Sequence, residues 1–485
     1  MSAVAAIASG PAAAPRLGWL REGGMGASIL VAALASVFGV VLVEATVYIG
    51  AMLQSDPYIG GSGVLAVVVG ILSVLLIGVA LYVAAIVTAN TFSTVIAGRT
   101  RRIALMRLIG GTARSQRSEM ARQGLGVGVI GAVLGVVAGV LISAAGILAA
   151  DRLLGEVPGF SLAQPAVVLP AAGVALTTWA AAWIGSRRVL SVTPLQAIGG
   201  SVERSHEDAA ARPARHVGAL LLLILGIALL VFGVLVGLVS PLGVVIAFFG
   251  GLLSFTGLSL AAVLVMPPVL RWVGRLLGRS AVARLAAENA LRHPERSSRM
   301  AIGVVMGVTL VTMFAVALES VEALLTKAAG GELDPQFSAI MDGFAAVMMV
   351  LVGVSAVIAG VGLVNLLILG VVQRRRELGL LRAIGLSNRQ VRGMILLEAV
   401  HITVAATLTG LVLGVAYGWI AAQSLLGSVR MPPDFEGTAG LIAPAVPWIP
   451  VAVILAATAL LTLVAATTPT RLATRVTPVE ALAVE

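Results

Sequence analysis

RRRELGLLRAIGLSNRQVRGMILLEAV, Arg374 to Val400, is a strongly basic stretch between two long and almost uncharged runs. Good helix formers continue without a break to Ile384. Gly385 suits the left-handed position that ends a helix. Ser387 with Gln390 fits a capping box that starts another. The apolar run before it, about 343 to 372, continues into the first of these helices. At 1.5 Å per residue the whole approaches about 60 Å, twice the ~30 Å of bilayer hydrocarbon. The stretch therefore reads as a stalk leaving the membrane, a glycine hinge, and a short transverse helix that turns the chain back.

The same text occurs earlier, 275 positions back, as RTRRIALMRLIGGTARSQRSEMARQG, Arg99 to Gly124. That offset superposes Met25 on Met300, Glu44 on Glu319, Asn90 on Asn365, Arg107 on Arg382, Gly110 on Gly385, Arg114 on Arg389 and Arg117 on Arg392. It continues through Gly135 on Gly410 and Gly139 on Gly414. Apolar text matching by chance would not align arginines, asparagines and glutamates together. Gly110 and Gly111 supply the break in this copy and Thr112 the cap. Near the ends of the copies, SRRVLSVTPLQAI (Ser186 to Ile198) meets TRLATRVTPVEAL (Thr470 to Leu482).

Composition places these motifs in a bilayer. The chain is 59% hydrophobic and 11% charged, with a mean hydropathy of +1.06, too little polar surface to coat a soluble globule of 485 residues. Runs of roughly 20 apolar residues recur about ten times. They lie near 26–52, 63–97, 124–150, 165–186, 217–238, 242–266, 300–324, 343–372, 399–424 and 446–468. With the first span starting inside, 29 of 32 Lys and Arg face the cytoplasm, leaving Arg152, Lys327 and Arg430 outside. Carboxylates divide 11 and 11 on the same map, so the inner face carries +18 and the outer −8. The pI of 11.2 thus reflects topology and anionic lipid, and a nucleic-acid partner is not expected.

The expected architecture is an all-α polytopic membrane protein of about ten transmembrane helices, with N- and C-termini cytoplasmic. Residues 1–198 form a first four-helix repeat with an N-terminal segment. Residues 199–299 hold a linker, two spacer helices and an amphipathic cytoplasmic helix, and residues 300–485 form a second four-helix repeat. The repeats run in parallel, related by a pseudo-two-fold axis along the membrane normal. Within the spacer region, Arg271 to Arg299 has the period of an interfacial helix. The segment Leu425 to Pro447, rich in Pro and Gly, reads as a lid over the outer end of the bundle.

Little in the chain speaks for catalysis. It has no cysteine, its four histidines are scattered, and no G-x-x-x-x-G-K-[ST] phosphate loop occurs. No metal is expected. Glu44 and Glu319 fall at matched positions in the outer halves of spans. Either they form a proton-sensitive or cation-binding pair across the pseudo-axis, or both sit at the headgroup level in water. Asn90 and Asn365 read as interhelical hydrogen-bonding groups.

The Arg374 to Val400 stretch resembles the signature of the FtsX/MacB-type permeases of ABC transporters, in which R-x-x-E-[IL]-[AG]-[LI]-[LM]-[RK]-A-[LI]-G ends the stalk and the next short helix couples to the nucleotide-binding subunit. The closing TPVEAL is similar to the family's C-terminal motif. Ten spans as four, two and four look most like the BceB-like branch. The resemblance implies a permease subunit docked on a separate cytosolic ATPase, a homodimer holding the ATP and Mg, with one permease per complex as a pseudo-dimer. This chain itself would bind no cofactor. The implied coupling residues are Arg107, Gly110, Arg114 and Arg117 in the first copy. In the second they are Glu377, Arg382, Gly385, Ser387, Arg389 and Arg392.

Two departures matter. The branch's large extracellular domain is missing from the short outer loops Gln54 to Gly63 and Lys327 to Gly343. Glu377 and Glu398 are replaced in the first copy by Arg102 and Gln123, so the two docking sites are expected to be unequal. The implied function is export or extraction of a hydrophobic or amphiphilic molecule such as a lipid or peptide antibiotic, in the bacterial cytoplasmic membrane. The alternative is a mechanotransmitter that passes ATPase motion to an outer enzyme or sensor without transporting.

Overall fold

The computed structural model describes residues 25–55, 63–98, 112–154, 160–161, 164–186, 213–277, 280–292, 294–328, 343, 364, 375–428 and 440–475. These residues form twelve α-helices and one 3-10 turn, and no strand occurs among them. The first half contributes α1 (Met25–Ser55), α2 (Gly63–Gly98), α3 (Ala113–Leu154) and α4 (Val168–Gly185). The middle contributes α5 (Pro213–Gly237), α6 (Gly243–Leu260), α7 (Ala262–Leu277) and α8 (Ala281–Arg292). The second half contributes α9 (Pro294–Ala328), α10 (Arg375–Ala383), α11 (Asn388–Leu426) and α12 (Trp448–Arg475).

Among the described residues, seven segments, on α1, α3, α4, α5, α6, α9 and α11, are long and apolar enough to cross a membrane. α2 and α12 carry shorter apolar stretches, Gly70–Val83 and Trp448–Val464. The expected span 343 to 372 lies outside the described residues except at 343 and 364. Rows of large apolar side chains face outward at helical spacing, such as Val133, Val137 and Leu141 on α3 and Leu221, Ile224 and Leu225 on α5. Surfaces of this kind are matched to lipid rather than water.

α1 lies among α2, α3 and α4, and its core-facing side is continuous with a cluster that runs through α2, α6, α7, α9, α11 and α12. Close helix approach depends on small residues. A Cβ on Gly139 of α3 would fall 2.7 Å from the Cβ of Val40 on α1. One on Gly410 of α11 would fall 2.8 Å from the Cβ of Val308 on α9. Glycine is therefore needed at both seams. α1 with α3, and α9 with α11, are also among the most extensive helix pairings in the molecule.

Two expectations for the middle region need correcting. The span read as 242–266 ends at Leu260, because Ala261 leaves the helical region (φ −85°, ψ 3°). α7 then continues as a separate helix in which Pro267 and Pro268 supply no backbone N–H. The single interfacial helix read over Arg271 to Arg299 is divided among the end of α7, α8 and the start of α9. Ser280 caps α8, its Oγ accepting from the Ala283 N–H at 3.1 Å. Pro294 opens α9 at the position where a missing N–H costs least. α8 does not simply lie on the bilayer surface: Ala283, Ala286 and Ala290 are buried, and the helix packs on α11.

Candidate functional site

The turn from α10 through Gly385 and Ser387 into α11, the second elbow (the first being its repeat at Gly110 to Thr112), is built almost entirely from local chemistry. α10 ends in a Schellman motif: the Leu386 N–H donates to the Leu381 carbonyl at 3.0 Å and the Gly385 N–H to the Arg382 carbonyl at 3.1 Å. Gly385 makes this possible with φ +109°, the one positive φ among the described residues. Two residues on, Ser387 is extended (φ −70°, ψ 156°). Its N–H donates to Gln390 Oε1 at 2.9 Å, and its Oγ accepts from the Gln390 N–H at 3.3 Å. This is the capping box expected from SNRQ, but the helix it starts is not a short transverse one: α11 runs unbroken from Asn388 to Leu426, with no proline or cap to divide it.

A small core holds the elbow. Leu378 of α10, Val391, Met394 and Ile395 of α11 and Ala286 of α8 bury together, with Leu381 and Leu386 against them. The remaining faces point outward. Leu380 is 55% exposed and Ile384 69%, beside exposed Glu377, Arg389 and Arg392, while Arg382 is half-buried. The tip thus presents two apolar side chains ringed by charge, the composition of an interface anchor with a polar rim.

The first elbow differs. Thr112 caps α3 as expected, its Oγ1 accepting from the Ser115 N–H at 3.1 Å, and Arg114 is exposed. Arg107 and Gly110 lie outside the described residues. Arg117 is turned aside, its guanidinium carbon 3.9 Å from the centre of the Trp183 ring on α4, with Nε and Nη2 buried. The inequality read from Glu398 against Gln123 is larger in three dimensions. Glu398 is 3% exposed and accepts from Asn289 Nδ2 of α8 at 2.6 Å. Gln123 instead donates to the neighbouring Glu119 at 3.2 Å, in solvent-accessible surroundings. The brace from α8 escaped sequence reading, although a stripe of Ala283, Ala286 and Ala290 was visible as its signal.

Within the membrane region the outer carboxylates part company. Glu44 is 0% exposed, with no hydrogen-bond partner at either oxygen. Glu319 is half-buried. Asn90 lies on α2 with its side chain outside what is described, and Asn365 lies outside the described residues.

A cleft of about 190 Å³ opens between α2, α5, α6, α9 and α11, lined by residues such as Leu76, Leu230, Phe248, Phe255 and Met313. Three hydroxyl-bearing side chains interrupt this apolar wall. Tyr82 OH donates to the Leu252 carbonyl at 3.0 Å and lies 2.8 Å from Thr256 Oγ1. Tyr417 OH lies 2.9 Å from Ser254 Oγ, and Thr309 Oγ1 is buried without a partner. Against the C-terminal end of α11, residues 440–445 form a strap. The Ile442 N–H donates to Gln423 Oε1 at 2.6 Å, Trp419 Nε1 to the Ile442 carbonyl at 2.7 Å, and the Ala445 N–H to Ser320 Oγ at 3.2 Å. Part of the segment read as a lid is thereby tied to α9 and α11.

The FtsX-like permease C-terminal family matches the chain twice, over residues 74–194 and 349–478, together just over half of its 485 residues. This chain belongs to the FtsX-like permease family. The two FtsX-like segments start at 74 and 349, which differ by 275, the offset of the internal repeat. Curated relatives align locally. The macrolide export ATP-binding/permease protein MacB of Bdellovibrio bacteriovorus is 31% identical over 97 residues, 18% of this chain and 15% of that protein. MacB of Rhodopirellula baltica is 30% identical over 94 residues, 18% of this chain and 14% of that protein. The uncharacterized ABC transporter permease YknZ of Bacillus subtilis is 31% identical over 74 residues, 15% of this chain and 18% of that protein. In each case the aligned part spans less than a fifth of the relative. Family and apolar helices together make this FtsX-like chain an ABC-transporter permease subunit, multi-pass in the bacterial cytoplasmic membrane.

Proposed function

We propose that this permease couples to a separate cytosolic ATPase dimer through its two elbows and moves, or extracts, a hydrophobic or amphiphilic molecule held between its helices. The observation that carries the reading is the second elbow, where exposed Leu380 and Ile384 stand on a rigidly capped turn among arginines. Arg389 and Arg392 would pair with carboxylates in the ATPase groove, since guanidinium groups keep their charge and can bind two oxygens at once. ATP and Mg belong to the partner chain, and the elbows of this chain supply force transmission.

The layout that fits this is two repeats, 1–198 and 300–485, about an approximate two-fold axis, with 199–299 between them. Support comes from the spacing of the two family matches and from the glycine seams that α1–α3 and α9–α11 share. α11 is one helix of 39 residues, about 58 Å long at 1.5 Å per residue, so movement of the elbow at its inner end is delivered to its outer end. There Tyr417, Ile420 and Ala421 line the cleft and Gln423 holds the strap. Closure of the ATPase dimer would draw the elbows together and change the width of the cleft. An apolar wall with a few hydroxyls suits a membrane-borne substrate better than a sugar or an ion.

The test uses the purified permease with its ATPase partner in nanodiscs. Ile384→Asp should weaken ATPase binding about tenfold or more, as for loss of a buried interface anchor. Gly251 lines the cleft and has no atom within 4 Å of an added Cβ. Gly251→Phe should therefore leave folding and ATPase binding intact while lowering substrate-stimulated turnover. Unchanged ATPase binding in the first variant would remove the docking assignment. Unchanged stimulation in the second would remove the cleft from the transport path.

A further inference from the structure

We propose that Glu44 and Ser143 form a site that binds and releases a single monovalent cation, a proton or a sodium ion, in the seam between α1 and α3. Glu44 is wholly buried with both carboxylate oxygens unpartnered, and Ser143, 8% exposed, is buried with its Oγ unpartnered. The helices run in parallel with matched steps of four. Added Cβ atoms on Gly131, Gly135 and Gly139 meet Ala32, Ser36 and Val40 in turn. Carried one further step of four, the same register pairs Ser143 with Glu44. About two turns beyond Ser143 on α3 the seam is latched, Tyr48 OH donating to Asp151 Oδ1 at 2.7 Å with Phe160 edge-on to the tyrosine ring.

A carboxylate in a low-dielectric seam with nothing donating to it is costly, so it resides there with a positive charge bound. Among the described residues of the helices packed on α1, none supplies that charge nearby. α4 carries no ionisable side chain and α2 carries Tyr82 alone. On α3, Asp151 and Arg152 lie at the outer end, and Arg114, Arg117, Glu119 and Arg122 lie near its start, about six turns from Ser143. On α1 itself Tyr48 is one turn away and is committed to Asp151. One carboxylate balances one unit of charge. A divalent ion would demand more acidic ligands, and no group of three His, Cys, Asp or Glu able to hold a metal occurs among the described residues. The second half lacks the counterpart: Gly418 stands at the position equivalent to Ser143, against Val316, and Glu319 is half-buried. Among the described residues the site is therefore single. Opening the Tyr48–Asp151 latch would admit water and let the cation exchange.

The experiment needs no ATPase, so it stands apart from the docking proposal. Full-length permease in nanodiscs is compared with Glu44→Gln, a neutral variant of nearly the same shape. Reaction with a hydrophobic carbodiimide, which attacks protonated carboxyls in apolar surroundings, is mapped by peptide mass, and thermal unfolding is followed in sodium or choline chloride. For a proton site, labelling at Glu44 rises about tenfold for each unit by which pH falls above its titration range and levels off below it, and sodium has no effect. For a sodium site, sodium slows labelling and raises the unfolding midpoint of the wild type, and Ser143→Ala weakens that effect. Should wild type and Glu44→Gln respond identically to pH and to sodium in both assays, Glu44 holds no exchangeable cation and the proposal is wrong.

Discussion

Gly385 shows how much one residue can carry. With φ +109° it lets α10 stop and hands the chain to Ser387, whose side chain starts α11 two residues later. No atom lies within 4 Å of an added Cβ there, so substitution is opposed by the backbone alone. Gly385→Ala should cost about 1–2 kcal/mol, the usual penalty for a left-handed L-residue. Hydrogen exchange at the amides of Leu386 to Val391 should accelerate correspondingly, with little change elsewhere in α11. Unaltered exchange would mean that the turn tolerates another conformation. Gly385, Ser387, Gln390 and Thr112 were all legible in the sequence because a cap or a left-handed glycine is decided by neighbours two to five residues away. Arg117 was not, because its partner Trp183 is distant in sequence and became a neighbour only when α3 packed on α4.

At the scale of elements, α8 distinguishes the two elbows. It supplies Ala286 to the elbow core and Asn289 to the buried Glu398, and Ser297 at the start of α9 ties back to the Ala290 carbonyl at 2.6 Å. The 275 offset that carries Glu398 onto Gln123 carries Asn289 onto Ala14, so both members of the pair are absent from the first copy. Asn289→Ala should destabilise the permease by about 1–3 kcal/mol, since it removes a donor from a buried carboxylate. Gln123→Ala, on an accessible face, should stay within about 0.5 kcal/mol. Unfolding midpoints in detergent measure both, and equal shifts would argue against the brace. The amphipathic period of this region was visible in the sequence, but which surface its small-residue stripe would meet was a matter of packing.

For the whole molecule the consequence is an asymmetric machine made from repeated text. Elbow two has a core, a brace and an apolar tip, whereas on the first side Arg117 leans on Trp183. Charge reversal should therefore hurt unequally. In the permease–ATPase complex, Arg382→Glu is expected to lower ATP turnover several-fold more than Arg107→Glu, and equal losses would remove functional inequality from the account. The spacer pair α5 and α6 contributes to the same asymmetry, since it packs on α11 and closes one wall of the cleft.

Membrane residence, helical class, the repeat and the caps at each elbow were determined by the sequence itself. Each follows from hydropathy, periodicity or contacts only a few residues apart, which every chain of this composition must satisfy locally. The burial of Glu44, the bond from Asn289 to Glu398, the cleft and the strap at residues 440–445 were decided by tertiary structure alone. These depend on which helix faces meet across separations of tens to hundreds of residues, and an all-apolar helix has no polar face to announce its neighbour.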